Sequence, residues 1–201
     1  ILNNALNLEK YNYNINFRNE IKTKYMIKDN EILLGHIGRF TYQKNQEFLL
    51  DLINKLPSKY KLMMVGDGEN FENINKMIID RNLKDRVVLT GIVNNTNEFY
   101  SSFDLFVLPS RWEGLPVVGL EAQANGLYSV MSNNIDKNVN IINKVDFLNI
   151  DNIDKWVEVI NFIINSKKNI NREQDTALFD INGINIEIEA DKLEKIYLGK
   201  E

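Results

Sequence analysis

Leu105-Phe106-Val107-Leu108-Pro109-Ser110-Arg111-Trp112-Glu113-Gly114-Leu115-Pro116-Val117-Val118-Gly119-Leu120-Glu121-Ala122 is the stretch that decides the fold. Its first four residues form a short apolar, β-favouring run of the kind that makes a buried strand. The chain then turns through Pro109, Gly114 and Pro116 and becomes helix-like over 117–125. Pro116 disfavours helix at Leu115 and suits a first helical position. A strand feeding a glycine-containing turn and a helix start is the usual place for an anion in an α/β sheet.

Outward from this stretch the same alternation repeats. Apolar runs predict strands over 31–37, 62–65, 86–89 and 127–132, and apolar residues at helical spacing predict helices over 16–25, 46–56, 70–81 and 95–103. Gly126 reads as a helix terminator. After Asn133 the pattern weakens to a short edge strand over 146–148, a helix over 154–165 and a last helix over about 186–198. Strands alternating with helices imply βαβ units, hence a Rossmann-like, doubly wound and mostly parallel sheet with helices on both faces. Five or six strands are too few for an eight-stranded barrel. No repeat or linker divides the chain, so residues 1–201 read as one domain.

The 201 residues are 44% hydrophobic and 26% charged, the balance of a globular protein and not of a disordered one. A formal net charge of −4 argues against nucleic acid as a partner. The absence of cysteine removes disulfides and thiolate metal sites, which fits a cytoplasmic protein. No apolar run reaches the roughly 18–20 residues of a membrane-spanning helix, and no signal peptide is visible. The chain opens at Ile1 in a polar stretch, and so reads as a piece of a longer protein.

Ligands of open parallel sheets bind outside the carboxyl ends of the strands. Gly38-Arg39, Gly66-Asp67-Gly68, Gly91-Ile92-Val93 and 110–114 all fall there. Steric need explains the glycines at such turns. It does not explain Arg39, Lys44, Glu113 and Glu121 gathered at one edge. A guanidinium and an ammonium five residues apart suit a diphosphate, with each charge-assisted hydrogen bond contributing roughly 1.5–3 kcal/mol. The bland alternative is an ion pair of Arg39 with Asp67 or Glu47.

Glu113 and Glu121 are separated by seven residues. Glu121 lies just over a turn into the helix and leans back toward its start, while Glu113 reaches in from the turn. Acids repel phosphate, so these two are expected to address another part of the same ligand, such as sugar hydroxyls. A glycosidase carboxylate pair needs an acid and a nucleophile flanking a bond, and nothing else in the chain resembles that cleft. Gly66-Asp67-Gly68 is a weak dinucleotide fingerprint, because the third glycine position holds Phe71. It reads better as a tight turn with Asp67 starting a helix. His36, the sole histidine, falls inside a strand and reads as a core residue. No Asp-x-Asp or histidine cluster suggests a metal. Trp112 lies near the proposed cleft and Trp156 does not. The charges at Lys167-Lys168 and Lys192 to Lys195 read as solvated surface.

Gly38-Arg39-Phe40 with Gln43-Lys44-Asn45, then Val65-Gly66-Asp67-Gly68, then Pro109-Ser110 with Glu113-Gly114-Leu115-Pro116 and Glu121-Ala122 resemble the retaining GT-B glycosyltransferases of the group-one family. The resemblance runs from Asn3 to Ser132, with Glu113 and Glu121 matching that family's Glu-x7-Glu hallmark. It implies the C-terminal, donor-binding half of a GT-B fold, with the N-terminal acceptor half outside this chain. It further implies transfer of a sugar, a UDP-sugar being favoured, to a glycan or lipid-linked acceptor in bacterial surface polysaccharide synthesis. Arg39 and Lys44 would then grip the diphosphate as leaving group, Glu121 would bind the ribose, and Glu113 would contact the sugar and stabilise positive charge at its anomeric carbon. Main-chain groups of Gly114, Leu115, Pro116 and Val117 would meet the β-phosphate or sugar. Gly38, Gly66 and Asp67 would line the donor site, with Ile92 and Val93 bordering the base. No cofactor or metal is implied. The location is cytoplasmic, with peripheral membrane association of the full-length protein left open. A non-catalytic nucleotide-binding module and a nucleotide-sugar epimerase of the same build are the competing readings. Tyr128 departs from the family, which often has Pro there, and is expected to alter only a strand start.

Overall fold

A computed structural model describes residues 5–166, 172 and 176–199. Its single sheet contains β1 (Ile32–Ile37), β2 (Tyr60–Val65), β3 (Val87–Leu89), β4 (Leu105–Leu108), β5 (Ser129–Ser132) and β6 (Val145–Leu148). They lie in the order β3-β2-β1-β4-β5-β6, and each neighbouring pair is parallel. This is the Rossmann-like, doubly wound arrangement, whose order reverses between β1 and β4.

Parallel strands must be covered on both faces, so they are apolar at successive positions. Side chains alternate across the sheet. Leu33, Ile37, Met63, Val65, Phe106 and Leu108 join one core with α1 (Ile15–Lys24), α4 (Thr96–Ser102) and α5 (Val117–Ala124). Leu34, Leu62, Met64, Leu105 and Val107 join the other core with α2 (Gln46–Lys55), α3 (Phe71–Asp80) and α6 (Ile153–Asn165). α7 (Thr176–Ile181) and α8 (Ile186–Tyr197) follow. α7 has no counterpart in the sequence reading, because six residues offer too little periodicity to see.

Most predicted boundaries hold within two residues. β2 starts at Tyr60 and not Leu62, because the Tyr60 ring is wholly buried and its hydroxyl donates to Asn161 of α6 at 2.7 Å. β5 starts at Ser129, after Tyr128 has turned its hydroxyl to Asp146 Oδ2 at 3.0 Å. Pro116 is not the first helical residue. It has extended backbone (φ −74°, ψ 117°), precedes α5, and its carbonyl accepts from the Gly119 and Leu120 amides. Lys192 and Lys195 are solvated and pair with Glu189 and Asp191. Lys167 and Lys168 lie outside the described residues.

Gly35 lets β1 sit under α4. A Cβ there would lie 2.0 Å from the Phe103 ring, which is itself fully buried. Neither group has room to move, and overpacking of this kind costs about 1–3 kcal/mol or more. Gly35→Ala should therefore lower stability in urea unfolding by at least about 2 kcal/mol, with Tm falling by roughly 5 °C or more. Unchanged stability would mean that Phe103 packs elsewhere.

Candidate functional site

The carboxyl ends of β1, β2 and β3 meet through backbone alone. Gly66 has φ +128°, and a Cβ on it would lie 2.2 Å from the Gly38 carbonyl oxygen. The Gly38 amide donates to Val65 O and the Gly66 amide to Gly91 O, each at 3.0 Å. Only glycine permits this approach and this φ. Beside it opens a cavity of about 180 Å³. Gly38, Arg39, Gly66, Asp67, Ile92 and Val93, all predicted from sequence, line it, together with Thr96. Ile92 is 78% exposed, an apolar side chain standing in solvent at the rim.

Asp67 does not start a helix, because α3 begins only at Phe71. Its carboxylate instead accepts from the Gly68 amide at 2.7 Å, and its carbonyl from Phe40 at 2.9 Å. Arg39 is exposed at the cavity wall, and among the described residues it forms an ion pair with neither Asp67 nor Glu47.

Lys44 and Glu113 come from the loops after β1 and β4, and their Nζ and Oε1 atoms are 2.5 Å apart. Both side chains are largely shielded, at 15% and 11% exposed. The Ser110 hydroxyl donates to the same Glu113 oxygen at 2.9 Å. Four hydrogen bonds hold the two loops together: Asn45 Nδ2 to Pro109 O (3.1 Å), Gln43 Nε2 to Trp112 O (2.9 Å), Arg111 N to Gln43 O (2.8 Å) and Arg111 Nε to Tyr42 O (3.2 Å). The Lys44 stem runs beside Gly38, where an added Cβ would lie 3.3 Å from Cε, so this pair adjoins the cavity. Gly114, Leu115, Pro116 and Val117 carry the loop into α5 and do not line the cavity. Trp112 is half exposed on this loop and stacks obliquely on Tyr42, whereas Trp156 is fully buried in the core.

Glu121 is reached from elsewhere. Tyr11 hydroxyl donates to Oε1 at 2.6 Å and Tyr100 hydroxyl to Oε2 at 2.7 Å. Thr96, in the cavity wall, neighbours the Tyr11 phenol and opposes the rise in its pKa. Glu121 is thus held by Tyr11, whose phenol neighbours Thr96 in the cavity wall, while Glu113 is joined to Lys44 beside Gly38. The two acids border the site by different routes and have different partners. Sequence spacing found both acids. It missed Tyr11 and Tyr100, because neither is near Glu121 in the chain.

His36 is fully buried, as expected of a core residue. Its Nδ1 donates to Val107 O at 3.0 Å, which leaves Nε2 to accept from the Gln46 amide at 3.2 Å. The second Gln46 hydrogen goes to Arg39 O at 3.0 Å, so this buried chain fixes the backbone of the Arg39 loop. Burial lowers the His36 pKa to about 4; the Val107 carbonyl opposes the shift and the Lys44 charge adds to it.

Residues 17–177 match the family described as Glycosyl transferases group 1. The chain belongs to that family. It is 30% identical over 207 residues to the UDP-Gal:alpha-D-GlcNAc-diphosphoundecaprenol alpha-1,3-galactosyltransferase of Escherichia coli, covering 98% of this chain and 53% of that protein. It is 32% identical over 177 residues to the capsular polysaccharide biosynthesis glycosyltransferase CapH of Staphylococcus aureus, covering 82% and 47%. Among solved structures, Anabaena HepE in complex with UDP and glucose superposes with a TM-score of 0.83 at 16% identity, covering 98% of this chain and 56% of that one. The chain spans about half the length of the relatives it matches. Membership of the group 1 transferases does not favour the epimerase or the non-catalytic module. Among the described residues, no helix is long and apolar enough to cross a membrane.

In this member of the group 1 family, His36 makes stability depend on pH. Unfolded chains bind a proton at histidine below about pH 6.5, whereas the folded protein resists until about pH 4. The stabilisation is complete above pH 6.5 and is lost at about 1.4 kcal/mol per pH unit as pH falls toward 4. His36→Asn keeps a donor for Val107 and removes the titration. The stability difference between wild type and H36N should therefore shrink by about 2 kcal/mol between pH 7.5 and pH 5 in urea unfolding. An unchanged difference would mean that the folded ring takes up a proton as readily as the unfolded one.

Proposed function

We propose that this chain is the nucleotide-sugar-binding, C-terminal half of a retaining glycosyltransferase with a two-domain GT-B build. The reading rests above all on the cavity at the ends of β1 to β3, which gathers Arg39 and the glycine turns with the Lys44–Glu113 pair alongside. The donor would be a UDP-sugar, as in the name of the Escherichia coli relative. The acceptor would be a glycan or lipid-linked glycan in surface polysaccharide synthesis, in line with both curated relatives. Acceptor binding belongs to the other half.

In this reading the base lies on Ile92 and Val93, and the ribose on Glu121. Arg39 and Lys44 face the diphosphate, with Gly38, Gly66 and Asp67 forming the wall. The main chain from Gly114 to Val117, at the start of α5, meets the β-phosphate or sugar. Breaking the sugar–phosphate bond puts negative charge on the diphosphate and positive charge on the ring. Arg39 and Lys44 stabilise the first, and Glu113 the second, so both terms grow toward the transition state. Lys44 is held by Glu113. Donor binding exchanges that partner for phosphate and frees a Glu113 oxygen for the sugar. With two cations offsetting the diphosphate, the reading needs no metal.

Arg39→Ala and Glu121→Ala in the full-length enzyme should each slow transfer at least about tenfold, the equivalent of roughly 1.4 kcal/mol. Transfer by the wild type should persist in excess EDTA, and the new linkage should keep the donor's anomeric configuration by NMR. Unchanged rates in both variants would remove the role assignments, and an inverted product would remove the retaining mechanism.

A further inference from the structure

We propose that Tyr11 and Tyr100 are positioning residues that aim the Glu121 carboxylate at the vicinal hydroxyls of a ribose. This rests on Glu121 being the ribose contact, and concerns what makes it an effective one.

A carboxylate offers about four lone-pair sites, two on each oxygen. Here each oxygen accepts one phenol hydrogen, from Tyr11 at 2.6 Å and from Tyr100 at 2.7 Å. One site on each oxygen is left, a pattern that matches two O–H donors on adjacent carbons. Tyr100 also lies 3.2 Å from the Val118 carbonyl, but it has one proton, and the shorter, charged acceptor takes it. Both phenols stay protonated: burial raises both pKa values, and the Glu121 charge raises them further. Neither ring is free to move. Tyr100 is fully buried and meets Tyr11 edge-on at 6.0 Å, and Phe103 and Phe106 close around it. Tyr11 is fixed at its backbone as well, because Asn125 Nδ2 donates to its carbonyl at 2.9 Å. Arg172 in turn holds Asn125 Oδ1 at 2.9 Å. Asn125 directly follows α5, so the segment ahead of α1 is anchored twice on the helix that carries Glu121.

Unheld, a glutamate side chain samples several rotamers and must be ordered when ligand binds. Removing one phenol hydroxyl should thus weaken ribose recognition specifically, leaving base and phosphate contacts intact. The test uses the intact protein and calorimetry with UDP, GDP and ADP, each against its 2′-deoxy counterpart. For the best-bound nucleotide, wild type should prefer the ribo form by about tenfold or more. Tyr11→Phe should cut that preference at least threefold while leaving affinity for the deoxy form unchanged, and Tyr100→Phe should act in the same direction. Since both ligands are measured on one variant, a damaged fold lowers both affinities and leaves the ratio alone. A ratio kept at the wild-type value in both variants overturns the positioning role. A wild-type protein that does not distinguish the two forms, or a Glu121→Ala variant that still does, overturns the ribose reading beneath it.

Discussion

Everything at the ligand-facing edge depends on one backbone contact, the approach of Gly66 to the Gly38 carbonyl. A side chain at Gly66 would collide with that oxygen at 2.2 Å. With none there, the ends of β1 and β2 close on each other, and the chain after β3 joins through the hydrogen bond that the Gly66 amide donates to the Gly91 carbonyl. The strand ends therefore present a bare, rigid wall, and the side chains that follow each glycine turn converge on one cavity. Arg39, Asp67 and Ile92 each stand next to a glycine in sequence, and all three line it. Chemical diversity is carried by the residue after the turn, and the shape of the site by the residue that lacks a side chain.

The charges around this wall are sorted among the protein's own groups. Arg39 is exposed at the cavity, Lys44 is tied to Glu113, and Glu121 is tied to two phenols. A free carboxylate beside an anionic ligand would repel it; neutralising Glu113 with Lys44 and surrounding Glu121 with hydrogen-bond donors weakens that repulsion. Ion pairs this shielded are more sensitive to a change of partner than surface pairs, because little water screens them. Lys44–Glu113 is such a pair, at 15% and 11% exposure. Behind it, the His36–Gln46 chain holds the Arg39 loop from the core side with hydrogen bonds that need a neutral ring.

The sheet was legible because buried parallel strands leave unbroken apolar runs, and Leu105–Leu108 is the plainest case. The cavity residues were legible for a related reason: in such a sheet, strand ends and site coincide. What escaped the sequence reading was set by contacts across the fold. Tyr11 meets Glu121 over a separation of 110 residues, and Gln46 meets His36 because α2 packs on that face of β1. No periodicity encodes either. Pro116 and Asp67 were misplaced by local rules that fit their residue types, because the chain stays extended through Pro116 and does not become helical until Phe71 after Asp67. The short α7 was invisible for want of length.

One nucleotide-sugar is proposed to span the wall from Ile92 to Glu113. The most direct measurement is a crystal structure of the intact protein with UDP or an unreactive UDP-sugar. That structure should show the base against Ile92 and Val93, the ribose hydroxyls on Glu121, and the diphosphate between Arg39 and Lys44, with the Lys44–Glu113 pair opened. Nucleotide density away from the β1–β3 edge, or a bound diphosphate with Lys44 still on Glu113 and Arg39 turned to solvent, would contradict it.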